Sequence, residues 1–196
     1  MPEHGREWGR IPDRETQRLD MQGLAVHNVL GLTQYMVSGN LQAAAKRVGV
    51  DADGVGAMGL ASGARYTVRL ARDRLLIVCD ENGLLEHGWH DSGYAVTEMS
   101  AALEIFELSG PVARDVVKRA TTLSHGGTSP CAATIFAGVT ACVYRYGDDH
   151  TVRIHLDRGL APYLWNWTAV TLKVFAEGIE SVSAPEHLQQ RILGTT

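Results

Sequence analysis

Apolar positions along this chain switch between two periods, and the sharpest switch lies at 103–120. Leu103, Ile105, Phe106 and Leu108 surround two glutamates in a short run that predicts a largely buried strand. Ser109-Gly110-Pro111 then predicts a turn. Proline suits the first position of a helix, where its missing N–H has no intrahelical partner. Behind it Ala113, Val116, Val117 and Ala120 recur at i, i+3, i+4 and i+7, a helical face able to lie back on the strand. The same unit occurs earlier. Leu32–Gly39 aligns with Leu103–Gly110 through Leu, an aromatic, an aliphatic and Ser-Gly, and Leu41, Ala44, Ala45 and Val48 repeat the helical spacing. The helical phase is offset by one residue between the copies, and Gly49 is suited to cap the first helix. Internal repetition therefore sets the expected architecture.

Leu24 to Val37 predicts one or two strands leading into the first corner. After the glycine-rich stretch 51–63, Tyr66–Leu70 and Leu75–Cys79 predict a hairpin turning at 71–74. Residues 80–93 are polar and glycine-punctuated, a surface loop carrying His87, Trp89 and His90, and Tyr94–Ser100 leads into the second unit. Ala133–Tyr146 predicts two strands broken near Gly138. Val152, Ile154 and Leu156 then alternate with Arg153 and His155, which predicts a half-buried antiparallel strand. A helix is expected from Pro162, with Leu160, Tyr163, Leu164, Trp167, Val170 and Val174 on one face and Glu177-Gly178 as a stop. Trp165 and Phe175 lie off that stripe, so the helix has more apolar surface than one core face requires. The fold class expected is α+β: two pseudo-repeated strand–helix–strand–strand units with antiparallel sheets, at about 24–93 and 94–178. An N-terminal arm at 1–23 and a tail at 179–196, either a short amphipathic helix or disordered, flank them.

Composition narrows the function. The 196 residues are 45% hydrophobic and 20% charged, enough for a proper core in one domain or in two small ones sharing an interface. A net charge of −4 leaves no basic excess for phosphate backbones, which excludes nucleic acid as a favoured partner. Cys79, Cys131 and Cys142 form no disulfide framework, and no apolar run approaches the ~18 residues that span a bilayer. The arm lacks the apolar core of a signal peptide, so a cytoplasmic protein is expected. Trp8 stands out in that charged arm, either incidental or the anchor by which it docks on a partner.

Candidate chemistry is thin. Gly54-Val-Gly-Ala-Met-Gly59 spells G-x-G-x-x-G, but a poor strand precedes it and Gly63 interrupts any helix behind it, so a plain loop is the better reading. His87, His90 and Asp91 lack a second ligand cluster for a metal. Asp148-Asp149 sit where a hairpin turn favours aspartate. No nucleophile elbow or Cys–His signature is found. Tyr163 and Trp167 are assigned to the core, and Trp165 to an interface with another protein.

Tyr94-Ala-Val-Thr-Glu-Met-Ser100 followed by Leu103–Asp115 resembles the aminomethyltransferase-like superfamily of the glycine-cleavage T protein, in which a strand ends in Gly-Pro/Asp-x-Ala-Arg. Within it, the chain is most similar to the gamma subunit of heterotetrameric sarcosine oxidase, through its size, Ser129-Pro-Cys131 and Tyr163-Leu-Trp-Asn-Trp167. The likeness runs from about Val26 to Phe175. Folate-binding members carry an Asn-x-x-Gly-Gly-x-x-Asp-Asp hairpin, and the corresponding span here, Ala137–Tyr144, lacks it. The resemblance implies a small non-catalytic subunit that braces the large (alpha) folate-binding subunit of a flavin-dependent oxidase acting on an N-methyl amino acid. FAD, FMN, NAD and tetrahydrofolate are then held by other subunits, with no cofactor, metal or catalytic residue on this chain. Trp8, Trp89 and Trp165 are its expected interface residues. The alternative is a self-sufficient folate-binding or one-carbon-transfer protein using the cleft between the pseudo-repeats.

Overall fold

The computed structural model describes residues 13, 15–123 and 129–182, with side chains to 175. In chain order these form β1 (Arg18–Met21), β2 (Leu24–Asn28), β3 (Thr33–Gly39), α1 (Leu41–Val48), β4 (Leu60–Ala61), β5 (Arg65–Ala71) and β6 (Arg74–Cys79). Then follow β7 (Gly88–His90), β8 (Tyr94–Glu98), β9 (Leu103–Ser109), α2 (Ala113–Ala120), β10 (Ala133–Phe136), β11 (Val139–Tyr146), β12 (Thr151–Asp157) and α3 (Ala161–Val182).

Two sheets result, antiparallel along their main paths. One runs β1-β2-β9-β12-β11-β10, with the two-residue β4 added in parallel to β11; the other runs β5-β6-β3-β8-β7. Both follow one plan, and with the halves divided in the loop between β6 and β7, not at 93/94, each borrows a hairpin from the other half. The early hairpin β1–β2 pairs with β9 of the second unit, while β7–β8 pairs with β3 of the first. Three apolar clusters separate four layers. Leu24, Phe106, Val116, Val117, Ile154 and Leu164 lie between the larger sheet and α2 and α3. Tyr35, Val37, Ala44, Leu75 and Ile77 lie between the smaller sheet and α1. Tyr66, Val68, Leu76, Val78 and Tyr144 fill the space between the sheets.

Both strand–turn–helix units form as the pattern predicts, α1 burying Leu41, Ala44, Ala45 and Val48, and α2 burying Ala113, Val116, Val117 and Ala120. Asn40 caps α1 by accepting from the Ala43 amide at 3.2 Å, and Gly49 closes it with φ +69°. The repeated Ser-Gly corner has a contact reason. At Gly39 (φ +96°) a Cβ would lie 2.6 Å from the Gly93 carbonyl oxygen, which accepts from the Asn40 amide at 2.8 Å. At Gly110 (φ +116°) it would meet the Gly23 carbonyl, which accepts from the Val112 amide at 3.1 Å. Each corner is thus the place where the turn of the exchanged hairpin packs, and only glycine lets the two backbones meet there.

Several boundaries differ from the expectation. The sheet begins at Arg18, inside the expected arm, because β1 pairs with β2 from Arg18↔His27 to Met21↔Leu24. The loop 80–93 contains β7 and buries Leu85. Pro111 stays in the turn, and α2 starts two residues later, at Ala113. The α3 backbone runs through Gly178 to Val182, since one glycine weakens a helix by only about 1 kcal/mol without ending it. The largest difference is β12. Arg153 and His155, expected on a solvent face, are 7% and 1% exposed because the second sheet covers them.

Candidate functional site

The polar interior between the sheets follows from strand register. Antiparallel partners share a face, so Arg153 stands beside Glu107, and β12 turns His155 to that same side. From the opposite sheet come Gln34 on β3 and Tyr66 on β5, and β11 supplies Tyr144 and Tyr146. His155 Nδ1 lies 2.7 Å from Gln34 Oε1, and since that oxygen only accepts, Nδ1 carries the proton. Nε2 must then accept, so Tyr144, at 2.5 Å, donates to it. Tyr144 has no second proton, so Tyr66 donates to it across 2.8 Å and in turn accepts from Arg153 Nη1 at 2.9 Å. Every link of this chain has one direction. Arg153 completes it with Nε donating to Glu107 Oε2 at 2.8 Å and its guanidinium carbon 3.3 Å from the Tyr146 ring centroid.

Burial keeps this network in one protonation state. Desolvation, with Arg153 adding to it, lowers His155 to about 3, so the ring is neutral. Desolvation raises the Tyr66 phenol, and raises that of Tyr144 well above its ordinary value. Burial disfavours the Arg153 cation, but Tyr66 and the bond to Glu107 outweigh it and raise its pKa. The arrangement joins the two sheets through satisfied hydrogen bonds. The Tyr66 and Tyr144 hydroxyl protons and the His155 ring proton are all donated to partners inside the network. Sequence reasoning missed it. Its one visible signal is that His155 and Arg153 alternate with Val152, Ile154 and Leu156, which matches a solvated face equally well.

The glycine-rich loop lines an open cavity of about 830 Å³ together with Arg69, Arg72, Ser129, Pro130 and Cys131. Four of its amides are already committed. Val55 donates to the Thr67 carbonyl (2.9 Å), Ala57 to Cys131 (3.1 Å), Met58 to Val143 (3.0 Å) and Gly59 to Gly56 (2.9 Å). A pyrophosphate would need such amides free and a helix N-terminus behind them, so the G-x-G-x-x-G spelling here is a packing loop. At Gly56 a side chain would collide with the Ser129 carbonyl. Arg69 is also committed, donating to the carbonyls of Asp53 and Ala52, both at 2.7 Å, and of Arg72 at 3.1 Å.

The remaining sequence candidates are dispersed. His90 Nε2 is 2.8 Å from the Glu86 carbonyl, and its ring stacks on Tyr94. Among the described residues no group of three or more His, Cys, Asp or Glu side chains is placed to hold a metal ion. Asp149 pairs with Arg145, and Asp148 accepts from the His150 amide at 2.8 Å. Trp8 lies outside the described residues. Trp89, on the edge strand β7, is 72% exposed.

Trp165 requires a correction. It is 8% exposed in the core, its ring 5.9 Å from that of Phe106, whereas Tyr163 is 47% exposed and Trp167 only partly buried. The face of α3 turned to the sheet is Ala161, Leu164, Trp165, Thr168, Thr171 and Leu172. Small residues on that face bring the helix close. Thr168 hides its polarity by donating to the Leu164 carbonyl at 2.8 Å. A stripe drawn through the largest side chains overlooks them.

These features define a class: an α+β scaffold of two face-packed antiparallel sheets with exchanged hairpins, its interior polar groups spent on holding the sheets together. The chain belongs to the sarcosine oxidase gamma subunit family, whose model matches residues 24–172. In fold it is similar to a chain of heterotetrameric sarcosine oxidase from Corynebacterium sp. U-96 in complex with pyrrole 2-carboxylate. That likeness has a TM-score of 0.60 at 18% identity and covers 88% of this chain and 92% of that one. No curated protein matches the chain significantly. Among the described residues no helix is long and apolar enough to cross a membrane.

Proposed function

We propose that this chain is the small, gamma-type subunit of a heteromeric flavin-dependent sarcosine oxidase-type enzyme, without catalytic residues of its own, working in the cytoplasm. It braces the large folate-binding subunit while that enzyme demethylates an N-methyl amino acid. FAD, FMN, NAD and tetrahydrofolate belong to the other subunits. The observation that carries this reading is family membership over 24–172, with a fold match spanning nearly the whole of a chain from a heterotetrameric oxidase. The directional network between the sheets supports it, since a closed interior suits a brace better than a reaction site. Trp89 is proposed as one partner contact on account of its exposure.

A stand-alone folate protein is disfavoured. Tyr66, Val68, Leu76 and Tyr144 pack the space between the two sheets, which counts against a pterin site there. Co-expression with the large subunits tests the proposal, and the expected product is a coloured flavin complex retaining this chain through gel filtration. Micromolar binding of tetrahydrofolate by the free chain in isothermal titration, or a colourless chain eluting alone, would overturn it.

A further inference from the structure

The cavity beside the glycine-rich loop has a lopsided polar lining. It opens between residues 54–59, the β5–β6 turn and the segment leading into β10, with a volume of about 830 Å³. Arg69 and Arg72 bring two guanidinium groups to it, and Asp53 brings the one carboxylate among its described lining residues. The Arg69 side chain is only 17% exposed, and three of its five N–H groups donate to carbonyls. Those carbonyls satisfy the bonds but carry no net charge to cancel the cation. Asp53 cancels it weakly, because its oxygen lies 4.0 Å from Arg69 Nη2 and its side chain is 87% exposed to screening water. Arg72 is exposed on the turn, and among the described residues its side chain has no hydrogen bond or ion pair. Ser129 adds a hydroxyl that accepts from the Cys131 amide at 3.4 Å and keeps its own proton to give.

We propose that this cavity binds a small organic carboxylate. Arg72 and the uncommitted N–H groups of Arg69 hold the carboxylate, Ser129 gives a further hydrogen bond, and the carbon skeleton rests on Ala71 and Pro130. The planar fork of a guanidinium matches a carboxylate in a way that a point charge does not. A phosphate fits less well. Four of the loop amides that could cradle it are spent, and its second negative charge would lie near Asp53. The volume falls in the roughly 300–1,000 Å³ range of small-molecule sites, which favours a free ligand over an acidic segment of a partner. The ligand is bound, not transformed. No histidine stands among the described lining residues, and Cys131 donates its thiol proton to the Leu70 carbonyl at 2.6 Å. Such a site adds a ligand to the subunit reading above and does not depend on it.

The test titrates the full chain with propionate, glutarate and inorganic phosphate, followed by amide NMR shifts. Wild type is set against Arg72→Gln, with Arg47→Gln on the exposed side of α1 as a control that removes the same charge. Both sites are exposed, so both variants should melt as the wild type does. The carboxylates should saturate, with the largest shifts at 69, 72 and 129, and phosphate should bind at least tenfold more weakly. Arg72→Gln should weaken carboxylate binding about tenfold, and Arg47→Gln should leave it unchanged. No saturation by about 10 mM, or equal losses in the two variants, would overturn the site. Phosphate binding as tight as that of the carboxylates would overturn the ligand class. The same titration on the chain co-expressed with the large subunits separates a free ligand from a partner's acidic segment. Retained binding supports the free ligand, and loss of binding on assembly would overturn it, while the subunit reading itself stands or falls on the assembly alone.

Discussion

Protonating His155 would set a second positive charge beside Arg153 in the buried layer between the sheets. Its pKa falls from an ordinary 6.5 to about 3 on folding, through burial first and Arg153 second. Between those values the unfolded chain binds a proton that the folded chain refuses, so stability is full above about pH 6.5 and is lost as pH falls toward 3. The melting temperature of the wild type should therefore drop more steeply across that window than that of His155→Gln, as calorimetry over a pH series would read. Parallel curves would show that His155 is not the titrating group. At neutral pH the same substitution should cost about 1–3 kcal/mol, because Tyr144 and Gln34 lose a matched partner. Gly110 makes a separate residue-scale case. Gly110→Ala combines a left-handed backbone with a collision against Gly23, so its loss in urea unfolding should exceed the roughly 1–2 kcal/mol of left-handed strain alone.

At the scale of elements, α3 shows why a correct helix can carry a wrong face. Two stripes compete along it, one through the bulky Tyr163, Trp167, Val170 and Val174, the other through Ala161, Leu164, Trp165, Thr168 and Leu172. The second wins against the sheet because small residues allow close packing around Trp165 and Phe106. Trp165→Ala should accordingly destabilise the free chain by about 3–5 kcal/mol in urea unfolding. Val170→Ala, at an exposed site, should stay within about 0.5 kcal/mol. Equal losses for the two would contradict the observed orientation of the helix. Strand β12 is the counterpart among strands. Its period-2 pattern identifies the face holding Val152, Ile154 and Leu156, but a covered polar face and a solvated one look alike in sequence when the covered groups are paired.

For the whole molecule, hairpin exchange makes neither half of the sequence complete. With the halves divided in the loop between β6 and β7, the smaller sheet needs β7 and β8 of the second half, and the larger needs β1 and β2 of the first. A chain severed after Gly83, in the loop between β6 and β7, should yield fragments that are unfolded alone by circular dichroism and regain native structure when co-expressed. Autonomous folding of either fragment would show that the exchanged pairs are dispensable. The repeat is legible in sequence as Leu32–Gly39 against Leu103–Gly110, with its helical faces and glycine corners, because strand, turn and helix periods depend on neighbours within a few residues. Those local rules determined the elements, the α+β class and the surplus of apolar surface on α3. Partners of Gln34, Tyr66 and His155 lie far apart along the chain, and no local period encodes which strand covers which face. Only the packed sheets decided that Arg153 and His155 are interior, that the two halves trade hairpins, and which side of α3 faces the core.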